Sequence, residues 1–310
     1  MNDPQPAALS WWIAPVHITA FLSITLVSYA LLSVGVVIAL IVGGHLDVTT
    51  NPEALIEVLG AGGNGALAIA LHATIGLASL VLGFTLPLGK AGVVHIPTNL
   101  GEIKHKLVQT FALGPGRLAY LVPAALGALT VGLAAGWFSQ RVDEFLPGDS
   151  VSLALIGKLL TEGTGVGWGI MVFAVVISAP VLEELAFRGY IFSLVERASH
   201  PSLAWVLSSL LFMLYHQDPV HILGLAPTAF FLGWLRMVSG SVWPSMLAHL
   251  VNNGLAVAMT VFLSDVDTEA TWPVAAAALG FTVLVSAATW TVLRIRQPEG
   301  SDTAGTAPET

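Results

Sequence analysis

Glu183 and Glu184 stand side by side in the stretch APVLEELAFRGY (Ala179–Tyr190), at the end of a run from Gly163 to Leu182 that contains no charged residue. An ionisable side chain at membrane depth costs roughly 2.5–3.5 kcal/mol on insertion scales, and by default it marks a functional site. Here several gather: Glu183, Glu184 and Arg188 in one segment, His216 at the end of FMLYH, and His249 with Asn253 in HLVNN. On a helix Glu184 and Arg188 are four residues apart with the acid first, the favourable order for pairing. Glu183 lies about 100° further round, without a local partner. The asymmetry suggests two jobs, Glu184 held by Arg188 as scaffold and Glu183 free to act on a ligand or water. His249 and Asn253, also four apart, can point at one object.

A carboxylate and an imidazole that share a water can make it a nucleophile, with the Glu as general base. A second His and an amide can stabilise the oxyanion formed when that water adds to a peptide carbonyl. Two His and one Glu could instead hold zinc. The HExxH spacing is absent, however, and the helical partner of His249 is Asn253, a poor zinc ligand. The set fits metal-free hydrolysis better and calls for no cofactor. There is no cysteine, which excludes disulfides, thiolate metal sites and Cys nucleophiles. His17 and His72 have no matching acid and read as hydrogen-bonded packing. His221 follows Pro219 at a helix start and is a minor candidate.

These residues need rigid apolar elements to hold them. Of 310 residues 55% are hydrophobic and 10% charged, with a mean hydropathy of +0.82, against roughly 25% charged in a soluble domain. The fold class is all-α, a polytopic membrane helix bundle. A span needs about 20 apolar residues, and eight segments qualify or come close: 18–43, 64–88, 118–140, 165–195, 203–217, 221–237, 243–262 and 272–293, of which the fifth and sixth are short and leave six or seven crossings as the alternative count. If the eight alternate, Lys90, Lys104, Lys106, Arg117, Arg197, Arg236, Arg294 and Arg296 share one side. Acidic residues dominate the other, where Arg141 and Lys158 are the basic members. The positive-inside rule then makes both termini cytoplasmic, in a multi-pass protein of the cell membrane. The start, MNDPQPAALSWW, lacks the basic region of a signal peptide, so the first span is expected to be retained. Pro180 is the expected bend in the long fourth segment. Trp11, Trp12, Trp137, Trp243 and Trp272 sit at span ends as interfacial anchors.

Between the second and third spans, NLGEIKHKLVQTFAL carries a capping box, Asn99 with Glu102, and an apolar face of Ile103, Leu107, Val108 and Phe111. It reads as an interfacial helix near residues 100–112. Residues 1–160 then hold the first spans and this helix, 161–296 a catalytic transmembrane core, and 297–310 a polar tail expected to be disordered. The partners implied are the lipid bilayer and a peptide or membrane-protein substrate, with no nucleic acid.

At the chemistry-bearing residues the sequence resembles a known family. EELAFR (Glu183–Arg188) matches an EExxxR motif, FMLYH (Phe212–His216) an FxxxH motif, and HLVNN (His249–Asn253) an HxxxN/D motif. All three are motifs of the CPBP intramembrane glutamic endopeptidases, which include type II CAAX prenyl proteases and bacteriocin-processing and immunity proteins. The resemblance implies a helical bundle with a cytoplasm-facing cavity, Glu183 and His216 activating water, and His249 with Asn253 as the oxyanion hole. Glu184, Arg188 and Phe212 are then supporting residues, and no metal is implied. A non-catalytic immunity or scaffold protein using the same cavity is the alternative. A proton-coupled transporter fits less well, because the polar residues gather at one depth and line no path.

Overall fold

A computed structural model describes residues 9–43, 52–86, 97–146, 150–263 and 271–295. Among these there are helices and connections and no strand. In chain order the helices are α1 (Ile13–Val42), α2 (Pro52–Thr85), α3 (Leu100–Phe111), α4 (Leu121–Phe145), α5 (Val151–Glu162) and α6 (Gly165–Ala198). There follow α7 (Pro201–Tyr215), α8 (Pro219–Gly224), α9 (Ala226–Ser239), α10 (Trp243–Phe262) and α11 (Trp272–Ile295). The polar tail at 297–310, and Lys90 and Arg296 of the orientation argument, lie outside the described residues.

Among the described residues six helices are long and apolar enough to cross a membrane: α1, α2 from Leu59, α4 with the turn before it, α6, α10 and α11. The chain is a multi-pass membrane protein. The expected fifth and sixth spans are instead α7 and α9, of 15 and 14 residues. At 1.5 Å per residue each reaches about 22 Å, short of a hydrocarbon core of about 30 Å. They pack on one another, where Trp205 Nε1 donates to the Phe230 carbonyl (2.8 Å) and Ser209 Oγ to that of Ala229 (3.0 Å). Hydropathy could not separate such a pair from two full crossings.

The centre of the bundle is α6, whose Ala186, Phe187, Arg188, Tyr190, Ile191, Phe192 and Leu194 are buried. This helix is not regular. It opens into wide turns at Ala174–Ser178 and Leu185–Ile191, where N–H groups bond five residues back. The first lies just ahead of Pro180, and its cause is local. Proline offers no N–H and crowds the carbonyl four residues earlier, so widening the preceding turn relieves the clash.

The widening frees carbonyls. Ala179 N–H bonds to the Ala174 carbonyl, bypassing Val175, and Pro180 cannot serve Val175 either. In the second wide turn Phe192 N–H reaches Phe187 and Gly189 and bypasses Arg188. A buried carbonyl must find a partner. Asn253 Nδ2 on α10 donates to Val175 O (2.9 Å), and Arg236 Nε on α9 to Arg188 O (3.0 Å). Arg236 also reaches Ser193 Oγ and Glu196, which satisfies a buried guanidinium.

Glycines let α2 approach α6 closely. A methyl on Gly65 would stand 2.8 Å from the backbone N and Cα of Met171, and one on Gly76 would meet Leu182 at 2.9 Å. Residues 65, 72 and 76 recur at helical spacing, so His72 lies on the same face as both glycines. Aromatic rings fill the far side of α6: Phe21 of α1 meets Phe187 edge-on at 6.0 Å, and Phe187 meets Phe212 of α7 at 5.5 Å. The α3 helix carries the expected cap, with Glu102 N–H donating to Asn99 Oδ1 (2.9 Å) and the Glu102 carboxylate accepting from Thr98 N–H (2.8 Å). It is tied inward by buried Lys106, whose Nζ donates to the Phe84 carbonyl at the end of α2.

Candidate active site

Glu183 projects from α6 between its two wide turns and is 3% exposed. Its Oε1 is 3.1 Å from Nε2 of His72, and its Oε2 is 3.8 Å from Nε2 of His249. A nitrogen 3.1 Å from a carboxylate oxygen carries the proton, so His72 donates to Oε1. The separation at Oε2 is too long for a hydrogen bond, so among the described residues that oxygen has an ion-pair neighbour and no hydrogen-bond donor. His216 makes no ion pair with Glu183 within 4 Å, and its ring packs 5.0 Å from that of Phe212.

Glu184 faces the other way and is fully buried. One oxygen, Oε1, accepts from Arg188 Nη1 and from His249 Nδ1, each at 3.0 Å. Arg188 spends Nη2 on the Ala229 carbonyl (2.9 Å) and lies 4.2 Å over the ring of Phe212. Glu184 therefore does more than neutralise its helical neighbour. It fixes the ring of His249 by holding the Nδ1 proton, which turns Nε2 toward Glu183.

The tautomer of His216 is also set. Nδ1 lies 2.9 Å from the Phe212 carbonyl, which can only accept, so the proton is on Nδ1 and Nε2 carries a lone pair. Phe212 stands edge-on to both His216 (5.0 Å) and His249 (5.6 Å), spacing the two imidazoles. Asn253 is held by Val175 O through one N–H and keeps its second. Its Oδ1 faces Asn252 Nδ2, which fixes the amide orientation.

The structure thus brings Glu183, Glu184, Arg188, Phe212 and His249 into one connected cluster, with His216 and Asn253 at its edge. His221 joins through its ring, 4.7 Å from that of His216. His17 is packing, bonded to the hydroxyl of Tyr190 (2.8 Å). His72 is a correction: it does have a matching acid, Glu183. The pairing spans 111 residues of sequence, and its one visible sign was the glycine-lined face of α2. No three His, Asp or Glu side chains among the described residues are grouped to hold a metal ion.

Comparison with known proteins bears on the same segment. Residues 165–255 match the sequence model of a family described as type II CAAX prenyl endopeptidase Rce1-like. The match covers 91 of the 310 residues and supports the CPBP resemblance of that segment. A Bacillus subtilis (strain 168) protein named "Putative membrane peptidase YdiL" is 30% identical over 90 residues, covering 29% of this chain and 37% of that relative. No solved structure matches significantly. The matched segment contains Glu183, Glu184, Arg188, Phe212, His216, His249 and Asn253. His72, on α2, falls outside it.

Proposed function

We propose that this chain is an intramembrane endopeptidase that hydrolyses a peptide bond near the cytoplasmic side of the cell membrane with a water activated by Glu183. The reading is carried by one observation: a buried carboxylate with one oxygen that accepts no hydrogen bond among the described residues, beside two imidazoles whose Nδ1 protons are fixed by Glu184 and the Phe212 carbonyl. A water bridging Glu183 Oε2 and the lone pair of His216 Nε2 loses its proton to Glu183 as its oxygen bonds to the peptide carbonyl carbon. The oxyanion so formed accepts hydrogen bonds from the second N–H of Asn253 and from His249 Nε2. With Nδ1–H held by Glu184, His249 donates at Nε2 when that nitrogen also carries a proton. Collapse of the intermediate breaks the C–N bond, and Glu183 returns the proton to the leaving amine.

The positive-inside distribution supports cytoplasmic termini, and the family match supports a peptide or membrane-protein substrate. Mass spectrometry of membrane peptides from cells carrying the wild type or Glu183→Gln tests the reading. Peptides present only with the wild type supply a cleavage site, from which an internally quenched peptide is made. The purified wild type should cleave it at least ~100-fold faster than Glu183→Gln, the order expected for a lost general base. Identical peptide profiles, or wild-type turnover by Glu183→Gln, would overturn it.

A further inference from the structure

We infer that His72 of α2 is a positioning residue for the reaction, pinning Oε1 of Glu183 so that Oε2 alone receives the proton of the attacking water. The inference rests on the proposed peptidase reading and adds to it a residue from outside the matched segment.

The geometry is specific. Nε2 of His72 reaches Oε1 at 3.1 Å, while Oε2 has no partner closer than His249 Nε2 at 3.8 Å. An unheld carboxylate can rotate about its terminal torsion, whose energy wells are broad, and would present either oxygen. The hydrogen bond from α2 makes the two oxygens unequal and keeps the carboxylate plane fixed against His249. His72 cannot reach this position by chance drift of a surface helix. Gly65 and Gly76, seven residues before it and four after, press the same face of α2 onto Met171 and Leu182, the latter adjacent to Glu183. Nδ1 of His72 is buried and finds no hydrogen-bond partner among the described residues, so the ring's one protein hydrogen bond is the one to Glu183. A histidine kept only for packing has no need of a carboxylate, and an apolar ring would serve.

The test compares wild type, His72→Leu, His72→Gln and Glu183→Gln on the internally quenched peptide described above. Gln places an amide N–H near the position of Nε2, and Leu removes the donor at similar volume. Losing a hydrogen bond to a charged group should lower kcat roughly 10- to 100-fold, with KM unchanged within about twofold because His72 does not touch substrate. His72→Gln should recover most of kcat. An unchanged kcat in His72→Leu, or a His72→Gln no better than it, overturns the inference while a dead Glu183→Gln leaves the peptidase reading standing. An active Glu183→Gln defeats the reading itself. A second measurement needs neither turnover nor the Leu variant. In full-length protein labelled with 15N-histidine in lipid nanodiscs, the His72 Nε2 resonance, assigned by its absence in His72→Gln, should shift on Glu183→Gln. No shift overturns the proposed contact.

Discussion

The close approach of α2 to α6 makes a quantitative prediction for Gly65→Ala. The new methyl would lie 2.8 Å from the backbone N and Cα of Met171, and backbone cannot rotate aside as a side-chain tip can. Carbon contacts settle at about 3.5 Å, so the two helices must part by about 0.6–0.7 Å at this level. His72 is seven residues further along the same face, about 10 Å. If the shift is carried that far, the 3.1 Å bond from His72 to Glu183 opens to about 3.7 Å, beyond a working hydrogen bond. Overpacking should cost about 1–3 kcal/mol of stability, and the stretched bond should lower kcat by roughly tenfold, the low end for a hydrogen bond to a charge. Gly136→Ala is the control: it adds the same methyl to α4, where nothing lies within 4 Å. Thermal unfolding in detergent and turnover of the quenched peptide read both effects. If Gly65→Ala matches Gly136→Ala in both, the helix contact does not set the site. If stability falls and kcat holds, the link from helix spacing to Glu183 is wrong.

The other predictions concern the core itself. Glu184→Gln and Arg188→Ala should each lower thermal stability by about 3–5 kcal/mol, since each strands a charge away from water; Glu184→Gln should also lose activity through His249, and a stable, fully active Glu184→Gln would contradict its place under that ring. His249→Ala and Asn253→Ala should slow kcat by roughly 10- to 1000-fold with KM little changed, whereas equal loss of binding and turnover would favour a partner-binding cavity. Asn253→Ala should be the less stable of the two by thermal unfolding, because it orphans the Val175 carbonyl at a cost of about 1–3 kcal/mol. Activity should survive prolonged chelation; stoichiometric bound zinc, with activity lost to chelator and restored by zinc alone, would replace the Glu183 mechanism by a metal one.

How much of this was legible depended on how local the cause was. The α3 cap and the Glu184–Arg188 pair rest on spacings of three and four residues, which helix geometry alone decides, and they are visible in the bare sequence. The membrane class followed from composition. Of the eight candidate spans six are long enough to cross, and the short fifth and sixth are a packed pair of 15 and 14 residues that look, by hydropathy, like the middle of a crossing. Pro180 pointed to an irregularity in α6, but the helix accommodates it by widening the turn before, so no donor is lost without a replacement. The contact between His72 and Glu183 was out of reach for another reason. It depends on which face of α2 meets α6, and that face is chosen by glycines whose small size has meaning only once the opposing backbone is in view. The shared use of Glu184 Oε1 by Arg188 and His249 is likewise a three-helix fact.

The wide turn at Ala174–Ser178 has an evolutionary consequence. A wide turn is one residue inserted into a helix whose two flanks keep their phase. Deleting one residue between Val175 and Ala179 would therefore leave Glu183 and Glu184 pointing as they do now, but would set the Pro180 ring four residues after Val175, against the carbonyl that Asn253 holds. The crowded carbonyl would shift, and the tether of Asn253 with it, without any change to a motif residue. A one-residue gap at this point in a related sequence would thus mark a protein that keeps every recognisable motif and yet holds its amide donor differently, a divergence that motif matching would pass over.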